Sequence, residues 1–234
     1  MKVISIKKEQ ILFFLYALII FFSLYGVHKS NETVETFSAP ISKKVITIDA
    51  GHGGWDPGML QGGIEEKNLN LSIALKLQKY LEQSGSVVLM TRAEDAALGE
   101  RKKDDMRERV TIANEMKSDI LVSVHQNYYP SESAKGAQVF YFENSEQSKD
   151  LADFIQKEFV SFLDTENKRE TKESSTYYLL KKTKTPSVIV ECGFLSNPSD
   201  LKNITNEEYQ EKIAWAIYKG ILNYFNAESD ESSL

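Results

Sequence analysis

The sequence has 234 residues, a net charge of −6 at pH 7 and one cysteine, with 41% hydrophobic and 26% charged residues. This balance is that of a globular protein with one good-sized domain, with or without an appendage. The single cysteine excludes an internal disulfide framework. The acidic balance argues against nucleic acid as the main partner, because a phosphate-binding surface requires clustered lysine and arginine.

The N-terminus combines lysines with an uncharged apolar run. Residues 1–10 contain three lysines, and residues 11–27, ILFFLYALIIFFSLYGV, carry no charge. This length is at the short end of a membrane span, and the preceding lysines predict that residues 1–10 stay in the cytoplasm. We therefore expect a transmembrane anchor at 11–27, with the remaining chain outside the cytoplasmic membrane. A cleaved signal peptide is the alternative, although no A-x-A pattern follows the run.

Polar segments lie on both sides of the patterned region. Residues 28–44 have no periodicity, and we expect them to form a linker. Residues 226–234, NAESDESSL, are acidic, and we expect a disordered tail. A single domain is then predicted for residues 45–225.

Short β-rich runs alternate with helical patterns inside this domain. In chain order, the sequence predicts strand 45–50, helix 68–85, strand 86–91, helix 104–117, strands 120–125 and 137–142, helix 148–163, strand 187–191 and helix 206–225. This alternation predicts an α/β fold whose mostly parallel, twisted sheet is flanked by helices on both faces. Ligands bind such sheets in the crevice beyond the carboxyl ends of the strands.

Polar side chains stand where three of these strands end. His52 follows the first strand by two residues, His125 ends ILVSVH, and Glu191 ends SVIVE. Glu66 stands at the start of the first long helix, near the loop from His52. Two histidines and a carboxylate form a recurrent catalytic zinc set, and a further carboxylate can take a proton from the attacking water. The glycines around His52 permit unusual backbone angles and close approach.

Each of these residues also has a simpler interpretation. His52 can be a turn histidine, and His125 a hydrogen-bonded histidine at a strand end. Glu66 can favour a helix N-terminus through its charge, and Glu191 can be a buried ion-pair partner. Spacing alone leaves the metal site and these structural roles open, because the pattern is not a compact motif.

A series of motifs narrows this choice. They occur in the order IDAGHGGWDPG, EEKNLNL, TRAED, RERVTIAN, SVHQN, GAQVFYF and VIVECGFLSNPSD, between about Val45 and Phe225. In kind and order they resemble the zinc-dependent N-acetylmuramoyl-L-alanine amidases of the third amidase type. Within that family the sequence is most similar to the germination-specific, sporulation-type members, which are single domains behind a hydrophobic segment.

The resemblance implies specific roles for four residues. His52, Glu66 and His125 match the family's metal ligands, for one zinc ion per chain, and Glu191 matches its catalytic glutamate. The implied reaction cleaves the amide bond between the lactyl group of N-acetylmuramic acid and L-alanine, which in sporulating cells prepares muramic lactam in the spore cortex. The implied partners are peptidoglycan glycan strands, their stem peptides and an activator protein.

Other positions match the family less closely. Ala50 stands where the family usually has proline, which should affect loop stiffness. The segment ENKRETK matches only loosely, so Arg169 and Lys172 are candidate substrate contacts. Asn127 can either orient the substrate or hold its loop. We expect structural roles for two arginines and two tyrosines: ion pairing for Arg92 and Arg109, packing for Tyr177 and Tyr178.

Two other functions remain to be weighed. A membrane-tethered, non-catalytic wall-binding or activator protein could keep this fold, although all four family residues are present. A cysteine hydrolase could use Cys192 with His125. The alternation of a strand places Cys192 on the sheet face opposite Glu191, which predicts a buried apolar role.

Overall fold

The structure is a computed structural model that describes residues 8–30 and 40–231, and the chain divides into two units between Ser38 and Ala39. The described part of the first unit is one helix, α1 (Lys8–Ser30), whose large side chains from Phe13 to Phe22 are exposed. The membrane span predicted for residues 11–27 falls within this helix. Among the described residues, no helix has the length and apolarity needed to cross a membrane.

A mixed sheet forms the centre of the second unit. The strands are β1 (Val45–Ala50), β2 (Leu60–Gln61), β3 (Ile64–Glu65), β4 (Val87–Met90), β5 (Ile120–Asn127), β6 (Gln138–Phe142), β7 (Lys172–Ser174) and β8 (Ser187–Phe194). Six of them form one sheet in the order β4-β1-β5-β8-β6-β7, while β2 and β3 form a small antiparallel pair. In the large sheet only the β6–β8 pairing is antiparallel, so the sheet is mostly parallel, as predicted.

Helices cover both faces of this sheet, which agrees with the predicted α/β class. They are α2 (Glu66–Gln83), α3 (Lys102–Glu115), α4 (Glu146–Glu158), α5 (Tyr178–Lys182), α6 (Pro198–Ile204) and α7 (Glu207–Glu231), and a π-helical turn, Phe159–Leu163, follows α4. Helices α2, α4 and α7 pack on one face in the larger core, and α3 and α5 pack on the other in a smaller core.

Alternation along the strands assigns side chains to the two cores. In β5, Val122 and Val124 belong to the larger core and Leu121 to the smaller one. In β8, which is buried along its whole length, Cys192 lies in the larger core. Because successive side chains of a strand point to opposite faces, Glu191 belongs to the face covered by α3 and α5.

The structure differs from the sequence-based prediction at the ends of the domain. The predicted linker is wrong at both ends: residues 28–30 belong to α1, and Ile41 is fully buried in the larger core. Residues 31–39 lie outside the described part. The tail predicted to be disordered from Asn226 is helical as far as Glu231, and the Tyr224 hydroxyl donates to Glu228 at 2.7 Å. Residues 232–234 are also outside the described part.

Candidate active site

A cavity of about 590 Å³ opens near the carboxyl ends of β1, β5 and β8. Its lining includes His52, Glu66, His125 and Glu191, so the structure brings together the four residues that the sequence singled out. His125 and Glu191 lie inside their strands rather than at the ends, because β5 and β8 continue for two and three residues beyond them. The two residues are paired in register across these neighbouring strands.

Glu66 lies between the two histidine rings. Its Oε2 atom is 3.2 Å from His52 Nε2, and its Oε1 atom is 3.1 Å from His125 Nδ1. The rings are 5.0 Å apart at an angle of 79°. One ligand atom from each of the three side chains lies within 4.8 Å of the others, and imidazole nitrogen and carboxylate oxygen are donors that suit zinc.

Hydrogen bonds from several elements hold the Glu66 carboxylate at the start of α2. Oε1 accepts from Asn70 Nδ2 and from the backbone of Gln126, both at 3.1 Å, and Oε2 accepts from the backbone of Met59 at 2.9 Å. Burial alone would raise the pKa of Glu66, but hydrogen bonds and charge from the two histidines hold it well below its usual range. Glu66 is therefore an ionised carboxylate, and its hydrogen bonds fix its position between the two histidines.

Glycines allow the chain to pass close to this cluster. A Cβ atom on Gly51 would lie 2.3 Å from the ring of His125, and one on Gly58 would lie 2.6 Å from Glu66 Oε2. Between them, His52 has a φ of 63°, in the left-handed region that a residue with a side chain rarely adopts. The glycine-rich loop is therefore required by close packing, and His52 needs further support to keep its backbone angle.

Arg109 supplies part of that support from α3. Its guanidinium donates to the carbonyl of His52 at 2.7 Å and to that of Ala50 at 2.9 Å. It also forms buried ion pairs with Asp49 and Asp105, each at 2.7 Å, which agrees with the ion-pair role expected for it; the sequence did not indicate the partners. Although burial opposes its charge, the two aspartates raise the pKa of Arg109, so it stays positive.

Arg92 holds the same loop in a way that the sequence did not predict. Its guanidinium donates to the carbonyls of Ala50 at 2.8 Å, Gly51 at 3.0 Å and Lys67 at 2.8 Å. Within the described residues it has no ion-pair partner, so the expected ion-pair role is wrong and its structural role rests on backbone carbonyls.

Glu191 is buried beside the cluster. Its Oε2 atom has no hydrogen-bond partner among the described residues. Burying an unpaired carboxylate oxygen costs free energy, so its presence here calls for a functional explanation. Burial, together with the negative charge of Glu66, raises the pKa of Glu191 to about 7 against the opposing charge of His125. A carboxylate poised near neutral pH suits proton transfer.

Cys192 takes no part in this cavity. It is 3% exposed in the larger core, and burial raises the pKa of its thiol well above the usual range. A cysteine nucleophile needs exposure and a lowered pKa. The structure therefore gives no support to a cysteine hydrolase that uses Cys192 and His125.

The candidate substrate contacts, Asn127, Arg169 and Lys172, lie at the border of the main cavity or in a neighbouring cavity. Asn127 borders both the main cavity and a neighbouring one of about 420 Å³, and its Oδ1 atom accepts from the backbone of Tyr128 at 2.8 Å. Arg169 and Lys172 line only the neighbouring cavity of these two. The Arg169 guanidinium stacks 4.4 Å from the Phe194 ring centre and donates to the carbonyl of Lys135 at 2.7 Å.

The sequence assigned packing roles to two tyrosines of the cavity and no role to Asp56 or Lys102. Tyr177 packs against Phe140, as expected, yet it lines both cavities, and the exposed Tyr178 lines the main one. The Oδ2 atom of Asp56 lies 2.9 Å from Nδ1 of His52, the ring nitrogen that faces away from Glu66, and Lys102 contacts Asp56. The Asp-Pro-Gly turn four residues after His52 was the available signal, because such a turn brings the chain back on itself.

An α/β domain with two histidines, a glutamate and a separate buried carboxylate in one cavity has the features of a hydrolase that uses a metal ion. The chain belongs to the N-acetylmuramoyl-L-alanine amidase family, whose pattern it matches over residues 46–223. The resemblance seen in the motifs is thereby confirmed, and the enzyme activity is that of an N-acetylmuramoyl-L-alanine amidase acting on peptidoglycan.

Individual relatives cover most of the chain. The germination-specific N-acetylmuramoyl-L-alanine amidase of Bacillus subtilis is 36% identical over 233 residues, which are 96% of this chain and 98% of that protein. The CwlD amidase of Clostridioides difficile, solved in complex with the GerS lipoprotein, has a TM-score of 0.77 at 41% identity and matches 79% of this chain and all of its own. An N-acetylmuramoyl-L-alanine amidase of Clostridium difficile 630 has a TM-score of 0.73 at 33% identity and matches 79% of this chain and 98% of its own.

Proposed function

We propose that this amidase uses one zinc ion per chain, held by His52, Glu66 and His125, with Glu191 as the catalytic base. The bond cleaved joins the lactyl group of N-acetylmuramic acid to L-alanine. One observation carries this assignment of roles: a buried carboxylate with an unpartnered oxygen lies in register with His125, directly beside a three-residue donor cluster. A purely structural Glu191 would be expected to have a partner for that oxygen.

The roles of the protein side chains follow from this geometry. When bound, zinc supplies Lewis acidity, which polarises the scissile carbonyl and makes the attacking water more acidic. Glu191 accepts a proton from that water, and its pKa of about 7 lets it return the proton to the leaving amine of L-alanine. The glycan strand keeps a lactyl carboxylate, and the stem peptide departs with a free amino group.

The neighbouring cavity of about 420 Å³ is our candidate site for the stem peptide. It shares Asn127 and Tyr177 with the main cavity, and Arg169 and Lys172 supply positive charge that suits peptide carboxylates. Replacing Arg169 by Ala should raise KM for peptidoglycan and leave kcat nearly unchanged. An unchanged KM would remove Arg169 from the substrate site.

We further place this activity outside the cytoplasmic membrane, in maturation of the spore cortex. The similarity to a germination-specific amidase over nearly the whole chain supports this proposal. The apolar run at residues 11–27 would direct export as an anchor or a signal segment. A C-terminal reporter that is active only in the cytoplasm would contradict it, and the N-terminal sequence of the mature protein distinguishes anchor from signal.

An accessory lipoprotein is the partner that we propose. The support is the CwlD amidase, 41% identical to this chain, which was solved with the lipoprotein GerS. Amidase activity of the purified chain should rise when the corresponding lipoprotein is added. Equal activity with and without that lipoprotein would show that the chain needs no such activator.

The central experiment pairs zinc content with amide-bond turnover in two neighbouring variants. Glu191→Gln keeps the size of the side chain but cannot accept a proton, so it should bind zinc normally and lose about a hundredfold to ten-thousandfold in kcat. Cys192→Ala should keep most of its activity. Normal turnover in Glu191→Gln, with a dead Cys192→Ala, would favour the cysteine hydrolase. A wild-type chain that binds zinc and muropeptide without turnover would instead be the non-catalytic wall-binding protein.

A further inference from the structure

The two ring nitrogens of His52 have different surroundings. Nε2 faces Glu66 Oε2 at 3.2 Å, while Nδ1 lies 2.9 Å from Asp56 Oδ2 on the other side of the ring. An ionised carboxylate only accepts hydrogen bonds, and each ring nitrogen faces one, at 2.9 Å for Asp56 and 3.2 Å for Glu66. In a neutral ring we expect the single proton on Nδ1, beside the nearer acceptor. Nε2 is then left with a free lone pair on the side of the cluster.

Asp56 is itself held in place. Its backbone exchanges hydrogen bonds with Gly53 at 2.9 and 3.1 Å, which closes the loop on itself, and its Oδ1 atom accepts from the backbone of Gly58 at 3.3 Å. The Lys102 ammonium, at the start of α3, contacts the same Oδ2 atom that contacts His52. A lysine ammonium can only donate, so it supports an ionised Asp56 and cannot replace it as the acceptor.

His125 is positioned by different means. Its ring lies against the backbone of Gly51, where even a single Cβ atom would come within 2.3 Å. The ring is therefore packed against the loop that follows β1, while its backbone belongs to the paired strands β5 and β8. His52 stands on a loop with a left-handed backbone angle, so its ring depends more strongly on a hydrogen-bond partner.

We propose that Asp56, supported by Lys102, is the positioning residue for His52: it keeps the proton on Nδ1 and so presents Nε2 to the metal. This inference rests on the proposed role of His52 as a zinc ligand. Carboxylates behind metal-binding histidines fix the tautomer and the orientation of the ring, and their loss typically weakens metal affinity about 10- to 100-fold.

The first measurement is the zinc dissociation constant of the full chain, by competition with a chromogenic chelator. Asp56→Ala should weaken zinc binding about 10- to 100-fold, and Asp56→Asn should lose less because its amide oxygen still accepts. Asp95→Ala is the matched control. Asp95 binds the same loop, through Gly54 N and Lys67 Nζ at 2.7 Å each, without contacting His52. This control should bind zinc as the wild type does.

The second measurement reads the His52 tautomer in the metal-free protein. Two-bond ¹⁵N–¹H correlation spectra at alkaline pH show which ring nitrogen carries the proton. The wild type and Asp95→Ala should carry it on Nδ1, whereas Asp56→Ala should shift toward protonation on Nε2. A histidine freed by unfolding would also favour protonation on Nε2, so circular dichroism checks that all variants are folded. Asp95→Ala removes a contact of the same loop without touching His52, and it therefore separates loss of the acceptor from loosening of the loop.

Comparison with His52→Ala separates the two ideas. If His52→Ala loses zinc while Asp56→Ala keeps both the wild-type dissociation constant and the wild-type tautomer, Asp56 has no positioning role and the proposed zinc site stands. If His52→Ala binds zinc as tightly as the wild type, the proposed site itself is wrong.

Discussion

Single residues around the cavity show how charge is used to fix a loop. Arg109 is 2% exposed, yet it carries a positive charge into the protein because Asp49 and Asp105 neutralise it. The remaining hydrogen atoms of its guanidinium bind carbonyls of the loop that bears His52. A buried ion pair is not in itself a strong source of stability, but here it orients donors that a neutral side chain could not supply.

Asp49 gives this network a pH dependence. Burial alone raises the pKa of Asp49, but Arg109 and hydrogen bonds from Ser123 and Thr91 outweigh it and hold the pKa at about 2. Because the pKa of Asp49 is lower in the folded than in the unfolded protein, its ionised form adds about 2 kcal/mol to the unfolding free energy at pH values above about 4. This contribution is lost as the pH falls from about 4 to about 2. The wild type should therefore be more stable than Asp49→Asn at pH 7, with a smaller difference near pH 2.5. Urea unfolding at both pH values checks this, and a constant difference would contradict it.

At the level of elements, two neighbouring strands and one helix start build the cluster. The β5–β8 pairing sets His125 beside Glu191, and a bulge between His125 and Asn127 shifts the register before the strand ends. The first turn of α2 brings Glu66 to the same point, where the backbone amides of Gln126 and Met59 bind it. The glycine loop after β1 then has to fit between these elements.

Gly51 is the position where this fit is tightest. In Gly51→Ala the new Cβ would lie 2.3 Å from the His125 ring, so the ring must move. A displacement of about 1 Å at a reacting site can cost on the order of a hundredfold in rate, and we expect that loss in turnover together with weaker zinc binding.

Gly62→Ala is the matched control for this substitution. Gly62 has a φ of 57° with no atom within 4 Å of an added Cβ. The variant should lose about 1–2 kcal/mol of stability from the left-handed backbone but keep zinc binding and turnover. Wild-type zinc binding and turnover in Gly51→Ala would show that the close approach is not needed for function.

For the second unit as a whole, the two faces of the sheet have different tasks. The larger core, under α2, α4 and α7, contains the aliphatic faces of four strands. The opposite face places Asp49, Ser123, His125 and Glu191 beside the cavity, and Leu179 and Ile189 belong both to the cavity lining and to the smaller core. The face under α2, α4 and α7 therefore provides the packed core, while the opposite face presents the polar side chains of the candidate active site.

Ile41 tests where this packed unit begins. It is fully buried, and its carbonyl accepts from Ser86 Oγ at 2.8 Å, so the residues before β1 belong to the fold. Ile41→Ala in the full chain should cost about 2–5 kcal/mol of unfolding free energy. Leu60→Ala, at a side chain 56% exposed, should change it by less than about 0.5 kcal/mol. Chemical denaturation compares the unfolding free energies of the two variants. Equal stability would show that residues 40–44 do not contribute to the fold and act as a linker.

Periodicity in the sequence predicted the long helices and the buried strands, because the repeat of apolar residues reflects which face of an element is covered. The rule for strand ends grouped His52, His125 and Glu191, and the expected course of the loop after His52 added Glu66 at the start of the first long helix. The direction of β6, the burial of Ile41 and the helix beyond Asn226 depended on contacts between distant parts of the chain. The same holds for the partners of the site: Arg109 reaches Asp49 across 60 residues, and Lys102 reaches Asp56 across 46. Such pairs leave no periodic pattern, because they arise only when the packing of α3 against the sheet brings two separate segments within hydrogen-bonding distance.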